Sequence, residues 1–304
     1  MPMAATEQAV VFKVEGSPVL GILHSPEVTP TAGLVMLPAG GPQYHVGCCR
    51  QLLLWARRFA DAGIAVLRFD SRGMGDSGGE YRRFHSVAPD LQAAVDQLLK
   101  HHPTLTQVAL WGGCSAASAI MMHACKDPRV TQLIVLNPWA KTETTQARAE
   151  LRYYLERLRD PTFWKKLIAG RLDIRKALSS FSGALGRLKT KPRNTPDDKT
   201  EDAAPAQATA QEDPQGIEED GRFVEAMRVG LERFRGEVLL LMSGQSFIGR
   251  EFDQVATSSR QWRRTVAAAR ITRRELPEAG HTFSTHEAQD AAFAAALTWL
   301  QSRN

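Results

Sequence analysis

Residues 1–140 alternate short apolar runs with stretches in which apolar residues recur every third or fourth position. The runs at 10–14, 19–24, 33–37, 64–69, 107–111 and 132–136 have strand length. The stretches at 49–62, 87–101 and 115–125 have helical spacing; in the first, Leu52, Leu53, Ala56, Phe59 and Ala60 share one face. Strands alternating with helices predict an α/β fold, a mainly parallel sheet with helices on both faces. The first two runs, joined through Gly16-Ser17-Pro18, read as an antiparallel pair that opens it. The alternation returns near the end, with strands at 237–242 and 270–275 and helices at 251–267 and 286–301.

Between these blocks the pattern changes. Residues 142–188 carry only helical periodicity, in three amphipathic segments. In one, Ala147, Leu151, Leu155 and Leu158 share a face; Asp160-Pro161 opens another as N-cap and first helical residue. Residues 189–219 are polar, hold four prolines and have almost no large apolar side chains, which predicts disorder. The expected organisation is a core of residues 1–140 and 221–304, a helical basic cap at 141–193 and an acidic disordered loop at 194–220. The cap is expected above the C-terminal strand ends, where open α/β sheets place their sites.

The net charge of +5 is a cancellation. Residues 148–193 hold 13 Lys/Arg against 4 Asp/Glu, and residues 194–220 hold 9 Asp/Glu against one Lys. An acidic neighbour for the basic run, and no recognised nucleic-acid module, argue against nucleic acid as a partner. Peripheral contact of the basic cap with an anionic membrane surface stays open. No stretch approaches the roughly 18–20 apolar residues of a membrane span. Residues 1–8 lack the basic start and apolar run of a secretory signal, so a cytoplasmic location is expected. Cys48, Cys49, Cys114 and Cys125 have neither a disulfide-framework nor a zinc spacing, which fits a reducing compartment.

The chemistry concentrates in the segment from Val108 to Ala117, which runs strand, tight turn, helix. A nucleophile elbow needs that order, with a small residue two before and two after the nucleophile so that the turn does not clash with itself. Gly112 and Ala116 frame Cys114 in this way, and the helix N-terminus favours thiolate over thiol. A frame shifted by one residue also passes the size test and would make Ser115 the nucleophile; it ranks second, because Trp111 fits best as the last apolar strand residue. His281, between the last strand and the last helix, is the expected base. The oxyanion hole is expected from the backbone N–H groups of Ser115 and Gly41, with Gly40 next, since Pro42 has none.

With these residues in place the chain resembles the α/β-hydrolase superfamily across both outer blocks. Within it, the chain resembles the exosortase A system-associated hydrolase 1 group of bacterial exopolysaccharide gene clusters. The motifs that carry this are Gly40-Gly41-Pro42-Gln43-Tyr44, Arg68-Phe69-Asp70 leading to Arg72-Gly73-Met74-Gly75-Asp76-Ser77, the cysteine elbow, Asn137-Pro138-Trp139, and residues 276–283. The resemblance implies a triad acid after the strand at 237–242, but Ser243-Gly244-Gln245-Ser246-Phe247 has no carboxylate near Ser246. Glu251 and Asp253 are the nearest candidates, with Glu143 a further one. A Cys114–His281 dyad is the alternative, since a thiol needs less activation than a hydroxyl.

Two motifs are set aside. Residues 73–78 match a dinucleotide fingerprint, yet no helix opens within them, so they read as a loop packed beneath the site. The histidines show no metal spacing, and no metal or other cofactor is expected. The expected function is hydrolysis of ester or thioester bonds in a small-molecule acyl substrate. Acyl transfer at the same site, or a non-catalytic binding protein on the same fold, are the alternatives.

Overall fold

The computed structural model describes residues 5–39, 44–140 and 222–302. The expected cap at 141–193, the expected disordered loop at 194–220, and Gly40, Gly41 and Glu143 lie outside the described residues.

The strands are Thr6–Val14 (β1), Ser17–Ser25 (β2), Ala32–Leu37 (β3), Ala65–Phe69 (β4), Gln107–Gly113 (β5), Val130–Leu136 (β6), Glu237–Ser243 (β7) and Ile271–Leu276 (β8). They form one sheet in the order β1-β2-β4-β3-β5-β6-β7-β8. The pairs β1–β2 and β2–β4 are antiparallel, and every later pair is parallel. The helices are Gln51–Asp61 (α1), Ala88–His101 (α2), Ser115–His123 (α3), Arg222–Arg233 (α4), Phe247–Ser258 (α5), Arg260–Val266 (α6) and His286–Gln301 (α7).

Central strands read as unbroken apolar runs because both faces are covered. Val35, Leu110, Val135 and Leu240 point into a core with residues of α2, α3, α4 and α5. Leu34, Trp111, Ile134 and Leu239 point the other way, against residues of α1 and α7. On that second face Trp55 and Trp111 pack 4.9 Å apart, with Phe59 edge-on to Trp111 at 5.8 Å.

Three departures from the expected elements have local causes. The first helix begins at Gln51 because Cys49 and Arg50 take left-handed backbone angles. The helix expected at 251–267 is two helices. Ser246 Oγ caps the first by accepting the Gly249 N–H, and extended Ser259 caps the second by accepting the Trp262 N–H. Helix α4 was not anticipated; Val224, Met227 and Leu231 give it a buried face.

Candidate active site

Cys114 stands alone between β5 and α3, with φ 53° and ψ −123°. Such a backbone costs of the order of 1–3 kcal/mol and persists only where its surroundings impose it. Here they do. The Cys114 N–H donates to the Leu136 carbonyl at 2.9 Å, and the Cys114 carbonyl accepts from the N–H groups of Ser118 and Trp139, both at 3.2 Å. A Cβ on residue 112 would sit 2.6 Å from the Ala116 carbonyl atoms, so only glycine fits there. A Cβ on residue 113 would meet nothing nearer than 3.9 Å. The tight pair is therefore Gly112 and Ala116, which centres the turn on Cys114. Ser115 is the first residue of α3, at the end where helix amides point outward.

His281 lies in the loop after β8. Phe283, 2 % exposed, anchors that loop by packing edge-on against Trp55 at 6.2 Å. Asn137, at the end of β6 with φ 43°, ties it to the sheet. Its Nδ2 donates to the His281 carbonyl at 3.0 Å and to Ser243 Oγ at 2.7 Å, while its Oδ1 accepts the Ser243 N–H at 2.8 Å. Asn tolerates the left-handed region better than most side chains, which suits it to this corner. The β6 end thus bonds to both the Cys114 turn and the His281 loop. Sequence reading had noted Asn137 only as part of a motif.

The His281 Nδ1 lies 2.9 Å from Ser246 Oγ, whose residue is fully buried and whose oxygen also accepts the Gly249 N–H. Burial lowers the His281 pKa from its usual value, so the imidazole is neutral at neutral pH. If Nδ1 carries the proton and donates it to Ser246, Nε2 is left as a base. A carboxylate would enforce that tautomer, whereas a hydroxyl can equally donate to a bare Nδ1.

The structure does not bring Asp253 to His281. Its carboxylate pairs with Arg273 on β8, at 2.6 and 3.0 Å. Glu251 is buried on α5, one turn beyond Ser246. The lowering of the His281 pKa comes from burial, and the hydrogen-bond partner at Nδ1 is a hydroxyl, that of Ser246. Ser246 occupies the place beside Nδ1 that sequence reading had reserved for an acid.

A second buried pair flanks the sheet end. Asp70 follows β4; its Oδ1 accepts the His45 N–H, and its Oδ2 lies 2.9 Å from His45 Nδ1 and accepts the Asp76 N–H at 3.1 Å. A Cβ on Gly75 (φ +52°) would fall 2.2 Å from the Asp70 carboxylate. Of the glycines that mimic a dinucleotide fingerprint, Gly75 serves this close approach, while Gly73 lies against the Glu80–Tyr81 backbone and Gly78 against Pro18. The contact fastens His45 to the loop after β4. Among the described residues no group of His, Cys, Asp and Glu has a metal-holding arrangement. Nor is any described helix long and apolar enough to cross a membrane.

A mostly parallel eight-stranded sheet, a strained residue between strand and helix, and a histidine after the last strand define an α/β-hydrolase. The family model described as Hydrolase_4, serine aminopeptidase, S33, matches residues 33–228, and the chain belongs to this family. Thiohydrolase apmlB of Arthrinium phaeospermum is 29 % identical over 158 residues, 51 % of this chain. The match takes in 50 % of that protein, so the chain spans about half the length of this relative. Among solved structures, the Pyrococcus furiosus esterase Pf2001 superposes with a TM-score of 0.60 at 11 % identity, covering 98 % of this chain and 93 % of that one. Est1E from Butyrivibrio proteoclasticus, with ferulic acid bound, gives 0.60 at 17 % identity, covering 97 % and 98 %. At such identities the likeness is one of fold. The family is named for a serine enzyme, and here a cysteine holds the turn.

Proposed function

We propose that this hydrolase cleaves ester or thioester bonds of small acyl substrates, with Cys114 as nucleophile and His281 as base. The observation that carries the reading is the strained Cys114 backbone in a turn that admits only glycine at 112. The Cys114 sulfur attacks the carbonyl carbon as His281 Nε2 takes the thiol proton. The tetrahedral oxyanion is held by the Ser115 N–H and an N–H from Gly41 or Gly40. Collapse expels the alcohol or thiol, which leaves with the proton from His281. Water then attacks the acyl-enzyme thioester, giving its proton to His281, and the carboxylic acid departs as the thiol is restored. A thiol suits a site whose histidine leans on Ser246, because it needs less help from a carboxylate-backed base.

A relative named as a thiohydrolase supports the thioester side, and esterases of the same fold support the ester side. We place the protein in the cytoplasm, whose reducing poise keeps a catalytic thiol active. A role beside exopolysaccharide production rests on the motif resemblance. The second reading, a binding protein without catalysis, draws on the serine at the acid position.

The test is a pair of variants assayed on ester and acyl-thioester substrates of graded chain length. Cys114→Ala is expected to abolish hydrolysis with the fold intact, and Ser115→Ala to keep most of it. The reverse result moves the nucleophile to Ser115. No hydrolysis by the unmodified protein on any substrate favours the binding reading.

A further inference from the structure

A second thiol centre lies away from the Cys114 turn, in the segment between β3 and α1. Cys48 Sγ and Cys49 Sγ are 3.7 Å apart. Adjacent residues do not normally bring their side chains together: on a strand they point to opposite faces, and on a helix neighbours in sequence diverge. Here the backbone turns the pair to one side. Cys49 takes φ 52° and ψ 28° in a short 3₁₀ turn, between Gly47 (φ 73°) and Arg50 (φ 60°). Two successive non-glycine residues in the left-handed region cost roughly 1–2 kcal/mol each. The turn is pinned at both ends, by the Gly47 N–H to the Tyr44 carbonyl at 2.9 Å and by the Leu52 N–H to the Val46 carbonyl at 3.0 Å. Cys49 is exposed and Cys48 is half-buried. Neither takes part in the proposed hydrolysis.

We propose that Cys48 and Cys49 form a reactive dithiol that low-molecular-weight disulfides oxidise to a disulfide between neighbouring residues. The exposed Cys49 thiolate attacks one sulfur of the small disulfide, breaking its S–S bond, releasing one thiol and leaving a mixed disulfide on Cys49. The Cys48 sulfur then attacks the Cys49 sulfur, the second small thiol departs, and the Cys48–Cys49 bond closes. Two protein thiols lose two electrons and two protons; the small disulfide gains them as two thiols. Burial and the neighbouring thiol push Cys48 above its usual pKa, which leaves the first attack to the exposed Cys49.

The bond formed is a labile one. Successive Cα atoms lie about 3.8 Å apart across a trans peptide, short of the usual ~4.4–6.8 Å for bridged cysteines. A bridge strained in this way has a high reduction potential and is readily opened again. Closing it turns the peptide between the two residues and so rearranges the start of α1 and the segment that His45 fastens to Asp70. The site therefore reports the local thiol–disulfide balance, independently of whether Cys114 is the nucleophile.

The experiment uses full-length Cys114→Ala protein, exposed to graded ratios of oxidised to reduced glutathione, quenched with an alkylating agent and mapped by mass spectrometry. The peptide holding residues 48 and 49 is expected to escape alkylation and to weigh two hydrogens less than the dithiol. Cys48→Ser should stop at a glutathione adduct on Cys49, and Cys49→Ser should react at least tenfold more slowly. The proposal is overturned if both thiols stay alkylatable at oxidising ratios, if the unsubstituted pair accumulates glutathione adducts, or if Cys49→Ser reacts as fast as Cys48→Ser.

Discussion

Ser246 Oγ sits 2.9 Å from His281 Nδ1 and accepts the Gly249 N–H at the same distance. One hydroxyl therefore starts a helix and supports an imidazole. A serine in this place orients the ring without adding a negative charge. It cannot stabilise an imidazolium as a carboxylate does, and it leaves the choice of tautomer to the rest of the hydroxyl's bonding.

Changing Ser246 separates these roles. Ser246→Ala is expected to lower kcat at least about tenfold, well short of the ~10⁴ lost when a triad carboxylate is neutralised. It should also cost about 1 kcal/mol through the lost cap. Ser246→Asp keeps an N-cap acceptor and supplies the charge, so the acid limb of the kcat/KM profile should move up by about one pH unit. A limb that stays put in Ser246→Asp would show that Nδ1 does not face residue 246 during turnover.

Asp253→Asn should leave the rate near native, because its carboxylate is engaged with Arg273. Exposed pairs of this kind contribute little to stability, roughly 0–1 kcal/mol. A rate loss of a hundredfold or more would restore Asp253 as the acid of a triad.

Thiol reactivity gives a reading that needs no substrate. At neutral pH iodoacetamide should modify Cys114 first, ahead of Cys48, Cys49 and Cys125, because a neutral His281 can accept its proton. His281→Ala should slow that reaction selectively. Equal slowing of all four thiols would indicate a general change in the fold instead.

Stability should fall as the pH drops from about 6.5 to about 4. His24 is fully buried, and burial, then the Arg68 guanidinium, hold its pKa down at about 4; burial, then Lys126, does the same to His123. In that window the unfolded chain takes up protons that the folded chain refuses, so acid favours unfolding; the histidines' share of the loss levels off below pH 4. At 1.36 kcal/mol per unit, His24 alone accounts for about 3 kcal/mol. Urea titrations at pH 7, 5.5 and 4.5 measure it, and His24→Gln should flatten the trend. An unchanged slope in that variant would remove His24 as a cause.

Asp70→Asn should destabilise the protein by about 2–3 kcal/mol, since a buried carboxylate that accepts two backbone N–H groups and faces His45 loses part of its bonding. The drop in Tm should be several degrees. It should also lower kcat, because His45 follows the proposed oxyanion donor Gly41 by four positions in the chain. Native kcat in a destabilised variant would confine Asp70 to a structural role.

The parallel core was legible because buried strands are continuous apolar runs and the helices between them are periodic; α7 falls at the expected 286–301. The tight turn at Cys114 was legible because its size rule lies within five residues. What escaped depends on distant partners. Helix α4 carries Glu225 and Glu232, each paired with Arg228, and these charges mask the spacing of Val224, Met227 and Leu231. The break at Ser259 is set by a capping hydroxyl that a periodic pattern overlooks. Ser246 meets His281 across 35 residues, and His45 meets Asp70 across 25. No local pattern encodes either meeting.

The four residues from Leu136 to Trp139 have a dynamic consequence. Leu136 and Trp139 hold the Cys114 backbone, while Asn137 between them holds the His281 carbonyl. Cys114 and His281, the proposed nucleophile and base, stand 167 positions apart in the chain and are thereby tied to one short segment. Thermal motion that displaces this segment carries both along together, so their separation fluctuates less than either position does.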